Sequence, residues 1–168
     1  DGQFEAAAEA FYWASWDAQP HSGVRLGYHQ YDGKLPNVSA QALQQEQVRL
    51  ERALQTFERL ERGQLSALHQ LEREVLLFHI RTALFQLKTL RAPWRNPMFY
   101  NQPLDVSPYI TRDYKPLANR ARAIIAVGEG IGQFLQDAQT NLAPAIPRPW
   151  LETALLQVNG TMTFIQND

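Results

Sequence analysis

The fold is decided by residues 66–91, which read SALHQLEREVLLFHIRTALFQLKTLR. Apolar side chains recur there at intervals of three and four residues, which is the period of an α-helix. Two such series lie on nearly opposite sides of the helix: Leu68, Leu71, Val75, Phe78, Thr82 and Phe85 form one, and Leu77, Ile80, Leu84 and Leu87 form the other. A helix with two apolar stripes is expected to be covered on two sides. The sequence therefore predicts a long central helix, roughly 40 Å at 1.5 Å per residue, with Ser66 as its N-cap.

Four further segments show the helical period, and none shows the alternation of a β-strand. They are the stretch from about Gln3 to Ala18, a helix that Ser39 caps and Gly63 closes, Asp113–Leu142, and a last helix that Pro149 opens. Residues 21–39 and 92–111 lack the period and are rich in proline and aromatic residues. The sequence therefore predicts an all-α bundle of about five helices around the long central helix (roughly 66–91), with two irregular loops.

The last two predicted helices each carry a single apolar stripe, which we expect to face the core. The stripes are Leu117, Ala121, Ile124, Gly128, Ile131, Leu135, Ala138 and Leu142 on the fourth helix, and Leu151, Leu155, Val158, Met162 and Ile165 on the fifth. A large exposed apolar patch on these two helices would be more than a monomer usually shows, and would indicate a missing half or a partner.

Composition excludes several classes of function. The 168 residues carry 16 Lys and Arg against 17 Asp and Glu, so the chain lacks the basic excess of a dedicated nucleic-acid binder. There is no cysteine, which excludes disulfides, thiol nucleophiles and zinc sites built from thiolates. No apolar run approaches the ~20 residues that a transmembrane helix needs. We therefore expect no nucleic-acid partner and no transmembrane segment.

No feature of the sequence divides the chain into two domains. It has no internal repeat and no shift in composition, so 1–168 is predicted to be a single helical domain. The first residue is Asp1 rather than Met, and no helix stop signal follows Gly160. We therefore expect the chain to be part of a longer protein, from which a targeting segment could have been removed.

Two candidate site motifs are excluded, one by its position in a helix and the other by its number of ligands. Gly128, Gly130 and Gly132 lie inside a helical repeat rather than between a strand and a helix, which excludes a phosphate loop and favours close helix packing at Gly128 and Gly132. His69 and Glu72 share a helix face, but they supply two ligands where a catalytic zinc needs three. The residues themselves thus predict no catalytic, cofactor-binding or metal-binding side chain in this chain.

Two further patterns each allow two interpretations. Between the stripes of the central helix run two polar strips, one of Glu72, His79 and Gln86 and the other of Glu74, Arg81 and Lys88. Such strips can line a cleft, but more often they are solvated edges. The loop segments 27–32 and 94–100 concentrate aromatic and hydrogen-bonding groups, which suits a recognition surface or packing on the ends of the bundle. In both cases we favour the second interpretation.

Several short motifs, taken in order, resemble a known family. The stretch YDGKLPNVS, at the end of residues 27–39, is similar to the opening signature of the bacterial family called domain of unknown function 885. The similarity continues through Leu71, Glu72, Arg73 and Glu74, then Trp94, Asn96, Pro97 and Tyr100, then Arg112, Asp113, Tyr114, Pro116 and Arg120, then Ala138, Asn141 and Leu142, and last Pro147, Pro149, Glu152, Ala154 and Gly160. It covers nearly the whole chain.

The resemblance implies the N-terminal part of a longer protein. Members of that family resemble helical zincin-type metallopeptidases, and their metal motif, an H-E-x-x-P-G-H-like helix segment, follows the part matched here. No cofactor is expected in this chain, whereas zinc is expected in the missing C-terminal half. The chain alone is thus expected to be no enzyme, although its parent is expected to be a metallopeptidase. Many members look like exported proteins or lipoproteins, which implies a periplasmic or exported location.

The functional hypothesis is a non-catalytic helical region that forms one wall of a substrate cleft. Its partners would be the missing C-terminal half of the same protein and a peptide substrate. Five loop residues near helix ends are the candidates for the wall, namely Tyr31, Asp32, Tyr100, Arg112 and Tyr114. They would position the substrate backbone or a carboxylate, for which Arg112 offers a bidentate donor fork. The alternative is a stand-alone helical protein-interaction module with no enzymatic role.

Overall fold

The computed structural model describes residues 1–167, apart from the side chains of residues 164, 165 and 167, and it is helical with no strand in that range. Its α-helices are α1 (Gly2–Ala18), α2 (Pro20–Arg25), α3 (Ala40–Arg59), α4 (Ala67–Leu84), α5 (Ala92–Arg95), α6 (Ser107–Thr111), α7 (Leu117–Asn141) and α8 (Arg148–Asn167). A π-helical turn, Phe85–Thr89, extends α4, and short 3-10 turns occupy the loops. The predicted all-α bundle is confirmed.

The helices α1, α3 and α4 form a three-helix unit with its own core. The core residues are Phe4, Leu50, Phe57, Leu76, Leu77, Ile80, Leu84 and Leu87. Both predicted N-caps are present, since the hydroxyl of Ser39 accepts a hydrogen bond from the Ala42 amide and that of Ser66 accepts one from the His69 amide, each at 3.3 Å. Each cap satisfies an amide that the first helical turn leaves without a partner.

The prediction that α4 is covered on two sides is wrong for this chain. The stripe that contains Leu77 and Ile80 is buried against α1 and α3. The apolar side chains of the opposite stripe, Leu68, Leu71, Val75, Phe78 and Phe85, are 44–66% exposed. The reason is that α1 and α3 both pack on one side of α4, and no other element within residues 1–167 buries the stripe opposite.

The long helix α7 packs against the two irregular loops. Ala123 and Val127 share a core cluster with Val24, Tyr31, Val106 and Tyr109, and Phe134 and Ala138 share another with Val38 and Tyr100. The first loop lies close to α7 at Gly33, which has a φ angle of +75°. A Cβ added there would lie 2.9 Å from the Cβ of Ala126. Only glycine fits this position without strain, so Gly33 sets how closely the first loop lies on α7.

The stripe predicted for α7 faces the core only in part, and the stripe predicted for α8 is largely exposed. Ala138 is buried, and Ile124, Ile131 and Leu142 pack against the core clusters. On α7, Leu117 and Leu135 are exposed, and a Cβ at Gly128 or Gly132 would meet only open space, so the predicted close helix packing there is wrong. On α8, Leu151, Leu155, Val158 and Met162 are 41–54% exposed, and Ala154 is the buried residue in the part of the helix with described side chains. Ile165, the last residue of the predicted stripe, lies outside the described side chains. Within residues 1–167 nothing buries Leu117 and Leu135 of α7 or the exposed stripe of α8.

Several helix boundaries differ from those predicted. The predicted loop 21–39 contains α2, because Pro20 is tolerated in the first turn of a helix and opens it. Helix α3 ends at Arg59 and not at Gly63. Helix α7 begins at Leu117 rather than Asp113, with Pro116 as its N-cap residue. Among the helices of residues 1–167, none combines the length and apolarity that crossing a membrane requires.

Candidate functional site

The carboxylate of Asp32 is the centre of a polar cluster where the first loop meets the segment before α7. It accepts hydrogen bonds from Nδ1 of His29 at 3.1 Å, from the hydroxyl of Tyr114 at 3.1 Å and from Nζ of Lys115 at 3.2 Å. The imidazole of His29 stacks on the ring of Tyr114, with centroids 3.5 Å apart and planes inclined by 2°. We call these four residues the Asp32 cluster.

The loop that carries Asp32 is held from both sides. Gly27 and Gly33 take positive φ angles of 92° and 75°, which turn the chain before and after the cluster. Between them Tyr31 is buried, and its hydroxyl donates a 2.8 Å hydrogen bond to Asp17 of α1. The amide of Gly33 in turn donates to the hydroxyl of Tyr109 at 3.0 Å. The loop is therefore an ordered scaffold for the Asp32 carboxylate.

The opposite segment of the cluster is fixed by Arg120 on α7. Its guanidinium donates to the carbonyl oxygens of Lys115 and Tyr109, both at 2.9 Å, and it lies 3.3 Å from the carboxylate of Asp113. These bonds position the chain that carries Tyr114 and Lys115 over the first loop.

The electrostatics of the cluster keep Tyr114 protonated. Burial, together with the charge of Asp32 and the hydrogen bond to it, raises the pKa of Tyr114 to about 12. Asp32 is only 15% exposed, and its three donors leave it no free role as a base or nucleophile. The arrangement can hold two loops in register and present the edges of His29 and Lys115 to a ligand.

The five residues predicted for the cleft wall do not form one group. The structure brings Asp32 and Tyr114 together, while Tyr31 lies beneath them with its hydroxyl on Asp17. Arg112 is exposed and donates from Nη1 to the carbonyl oxygen of Arg25 at 2.8 Å. Tyr100 belongs to another part of the molecule.

Tyr100 is buried at the end of α7 in a polar pair with Asn141. Its hydroxyl donates to the carbonyl oxygen of Pro93 at 2.7 Å and accepts from the amide of Asn141 at 3.3 Å. The same amide donates to the carbonyl oxygen of Val38 at 2.6 Å. Burial raises the pKa of Tyr100, so its hydroxyl remains a donor. Tyr100 ties the two loops together and has no access to a surface ligand.

Sequence reasoning missed His29 and Lys115. His29 precedes Asp32 by three residues in a loop, and Lys115 adjoins Tyr114, so each has a predicted residue as its neighbour in sequence. Each missed residue could therefore have been found from its sequence distance to a predicted residue in the same half of the cluster. Contact between the two halves requires the segment before α7 to fold against the first loop. No local sequence pattern predicts that contact.

A groove of about 650 Å³ lies between the three-helix unit and the loops. Its lining includes His21, Glu46, Gln86, Met98 and Phe99, but none of the predicted wall residues and none of the Asp32 cluster. Nδ1 of His21 is buried without a hydrogen-bond partner among the described residues, and burial lowers the pKa of that imidazole. The volume lies in the range of small-molecule sites, although the walls are open.

Several ionisable groups meet around His69 on α4. Its Nδ1 lies 2.8 Å from Asp1, and its Nε2 lies 3.3 Å from Glu5 and 3.7 Å from Glu72. No set of three or more His, Asp or Glu side chains in the described part of the chain has an arrangement that could hold a metal ion. The residues therefore do not fit a zinc site here.

These features define an all-α protein region whose polar groups position loops. The family described as bacterial protein of unknown function (DUF885) matches residues 20–168, and the chain belongs to this family. The resemblance seen in the sequence motifs is thus confirmed.

A solved structure shares the fold. It is described as "a putative lipoprotein of unknown function from Shewanella oneidensis", and it superposes with a TM-score of 0.82 at 18% sequence identity. The match covers 94% of this chain and 29% of that one, so this chain spans less than a third of the length of the structure it matches. A comparison with curated proteins gives no match.

Proposed function

We propose that this chain is the non-catalytic N-terminal helical region of a larger zinc-dependent peptidase-like protein, and that it forms one wall of the substrate cleft. In this proposal 1–168 is a single helical domain, and the catalytic zinc lies in the C-terminal part of the protein. The main support for the proposal is that apolar side chains of α7 and α8 are exposed. The chain also spans only 29% of the structure that it matches.

The helix α8 makes the strongest case for a missing neighbour. Besides the four exposed residues of its stripe, Leu156 is 74% exposed. Its main contacts within the described residues are with the turn Pro97–Tyr100, and Asn101 donates a side-chain hydrogen bond to Gln157 at 2.6 Å. On α7, Ile125 is 60% exposed. Burial of one such side chain stabilises a protein by about 1.5–3 kcal/mol. A further part of the protein that covered these faces would therefore be strongly stabilised by the contact.

The loop surface supports the role as a cleft wall. Arg112 keeps most of its guanidinium free, because only Nη1 donates to another of the described residues, and it lies on the same segment as Tyr114. A free guanidinium edge suits a peptide carboxylate or backbone carbonyl. In this role Arg112 faces the substrate, Asp32 and Tyr114 hold the loop and the segment that carries Arg112 together, and Tyr31 and Tyr100 support the loops from inside. The lipoprotein description of the structural neighbour supports an exported location.

The cleft-wall role is tested in the full-length protein with Arg112→Ala. We expect KM for a peptide substrate to rise about tenfold or more with little change in kcat, because a contact made equally in the ground and transition states is lost. Arg52→Ala is the matched control, since Arg52 is exposed on α3, away from the loops and from α7 and α8, and makes no side-chain hydrogen bond to the described residues. Unchanged turnover and KM in the Arg112 variant would contradict the proposal.

The exposed stripe of α4 favours a second role, that of a protein-interaction surface. This stripe is separate from α7 and α8, and the cleft-wall hypothesis does not use it. Its residues and their register indicate what it binds.

A further inference from the structure

The exposed stripe of α4 has the form of a coiled-coil seam. It consists of Leu68, Leu71, Val75, Phe78, Thr82 and Phe85, and we call it the α4 outer face. Alternating spacings of three and four residues assign Leu68, Val75 and Thr82 to heptad position a and the others to position d. The face is about 25 Å long at 1.5 Å per residue. Two apolar residues in seven, flanked by polar strips, are typical of a helix that pairs with one other helix.

We propose that the α4 outer face binds the same face of a second copy of this chain, with the two α4 helices antiparallel about a two-fold axis. The axis crosses each helix at the level midway between residues 76 and 77, so residues of the α4 outer face that are equally distant from that point on the two helices face each other. Leu68 then faces Phe85 of the second copy, Leu71 faces Thr82, and Val75 faces Phe78. The proposal is independent of the cleft-wall role, because it uses none of the loop residues and neither α7 nor α8.

The sizes of the facing side chains favour the antiparallel orientation. In the central layers Val75 meets Phe78, and Leu71 meets Thr82, so a larger side chain always faces a smaller one. A parallel pair would instead place Phe78 against Phe78 and Thr82 against Thr82, which overfills one layer and leaves another loose. Well-packed helix pairs alternate large and small residues across the seam.

The charges on the two flanking strips are self-complementary in the same register. On one flank Glu74 faces Arg81 of the second copy, and by symmetry Arg81 faces Glu74. On the other flank Glu72 faces His79, again twice. A parallel pair would set Arg81 beside the uncharged Gln86. Charged residues beside a coiled-coil seam select the partner and its orientation, and here they select a second copy in the antiparallel orientation.

The contacts that these side chains make within the chain do not oppose the pairing. Arg81 lies 2.9 Å from Glu58, with both side chains about half-exposed, and Glu74 lies 2.8 Å from Arg73. The exposed Arg81–Glu58 pair contributes little to stability, so sharing Arg81 with a second copy costs little. Arg73 is 11% exposed and keeps its hydrogen bonds to the carbonyl oxygens of Phe57 and Glu58 when Glu74 is shared. The apolar residues of the face need no rearrangement, since no other described element buries them.

The first test is the mass of the 168-residue chain in sedimentation equilibrium over a range of concentrations. We expect a monomer–dimer equilibrium that Leu71→Glu weakens at least tenfold. Leu26→Glu is the matched control, because Leu26 is 65% exposed against 64% for Leu71 and lies outside α4. Both sites are exposed, so neither substitution should unfold the chain. Circular dichroism is measured to check that each variant is folded. A monomer at every concentration, or a dimer that Leu71→Glu leaves unchanged, would overturn the proposal, and another protein would then be the occupant of the face.

The second test examines the register. Glu74→Arg sets arginine against arginine in both of the Glu74–Arg81 pairs, and Arg81→Glu sets glutamate against glutamate there, so each variant alone should dimerise at least tenfold more weakly. An equimolar mixture of the two variants should recover the dimer, since every arginine then faces a glutamate. Failure of the mixture to recover would overturn the antiparallel register, as would a variant that dimerises as well as the original chain.

Discussion

The hydroxyl of Tyr114 donates a 3.1 Å hydrogen bond to the carboxylate of Asp32, across 82 residues of sequence. With it, the stacked ring of His29 and the ammonium group of Lys115 connect the first loop to the entry of α7. This connection holds the proposed cleft wall in place. It lies outside the core of the three-helix unit, while the ring of Tyr114 packs against the core cluster beside α7. Its loss should therefore loosen the loops without unfolding the three-helix unit.

The replacement Asp32→Asn should destabilise the protein by about 1–3 kcal/mol. The amide group would present a donor to side chains that are themselves donors, and hydrogen bonds to a charged acceptor contribute about that much. Urea unfolding of the two proteins measures the difference. Asp113→Asn is the control, because Asp113 is 94% exposed and its ion pair with Arg120 contributes little. Equal losses for the two variants would contradict the role of Asp32.

Tyr114 should make stability depend on pH in the alkaline range. The pKa of Tyr114 is raised from 10.0 to about 12 in the folded chain, so folding favours the protonated phenol. The stabilisation is complete below pH 10 and is lost as the pH rises from 10 towards 12. Tyr114→Phe should remove this part of the pH dependence, which unfolding midpoints at pH 9 and pH 11 measure. A difference between variant and original chain that is the same at both pH values would contradict the assignment.

Gly33→Ala should cost more stability than Gly27→Ala. Both glycines have positive φ angles, so each alanine incurs the strain of the left-handed region, about 1 kcal/mol. At Gly33 the new Cβ would also lie 2.9 Å from the Cβ of Ala126, whereas at Gly27 it would meet open space. The difference in unfolding free energy between the variants measures the close approach of the loop to α7. Equal costs would show that the loop is not held against the helix.

The 168-residue chain should show no peptidase activity with added zinc. None of the described side chains combine into a site that could hold the ion, and His69, the best-placed imidazole, is already paired with carboxylates. Hydrolysis of a fluorogenic peptide library and isothermal titration with zinc test this together. Measurable turnover that depends on zinc would contradict both the proposed role and its alternative.

What the sequence predicts well is local. Ser39 and Ser66 cap their helices as expected, because a cap depends on residues within one turn. The period of the long helix likewise shows that both of its sides are apolar. It does not show what lies against each side, and Leu71 is exposed while Ile80 is buried.

The site was predicted only in part for the same reason. Asp32 and Tyr114 are predicted as site residues because each lies in a loop near a helix end, and the structure places them in contact. Tyr100 is predicted on the same basis, yet it is buried beside Asn141. Composition and helix ends do not distinguish a ring that faces solvent from one that closes a core. That distinction depends on contacts between residues distant in sequence.

The central claim, that a further part of a larger protein covers α7 and α8, is tested most directly by hydrogen exchange. Amide exchange is measured along α8 in the 168-residue chain and in the full-length protein, with α3 as the internal reference. We expect the α8 amides to exchange at least about 100-fold more slowly in the full-length protein, which corresponds to about 2.7 kcal/mol, while those of α3 change little. Equal exchange along α8 in the two proteins would contradict the claim.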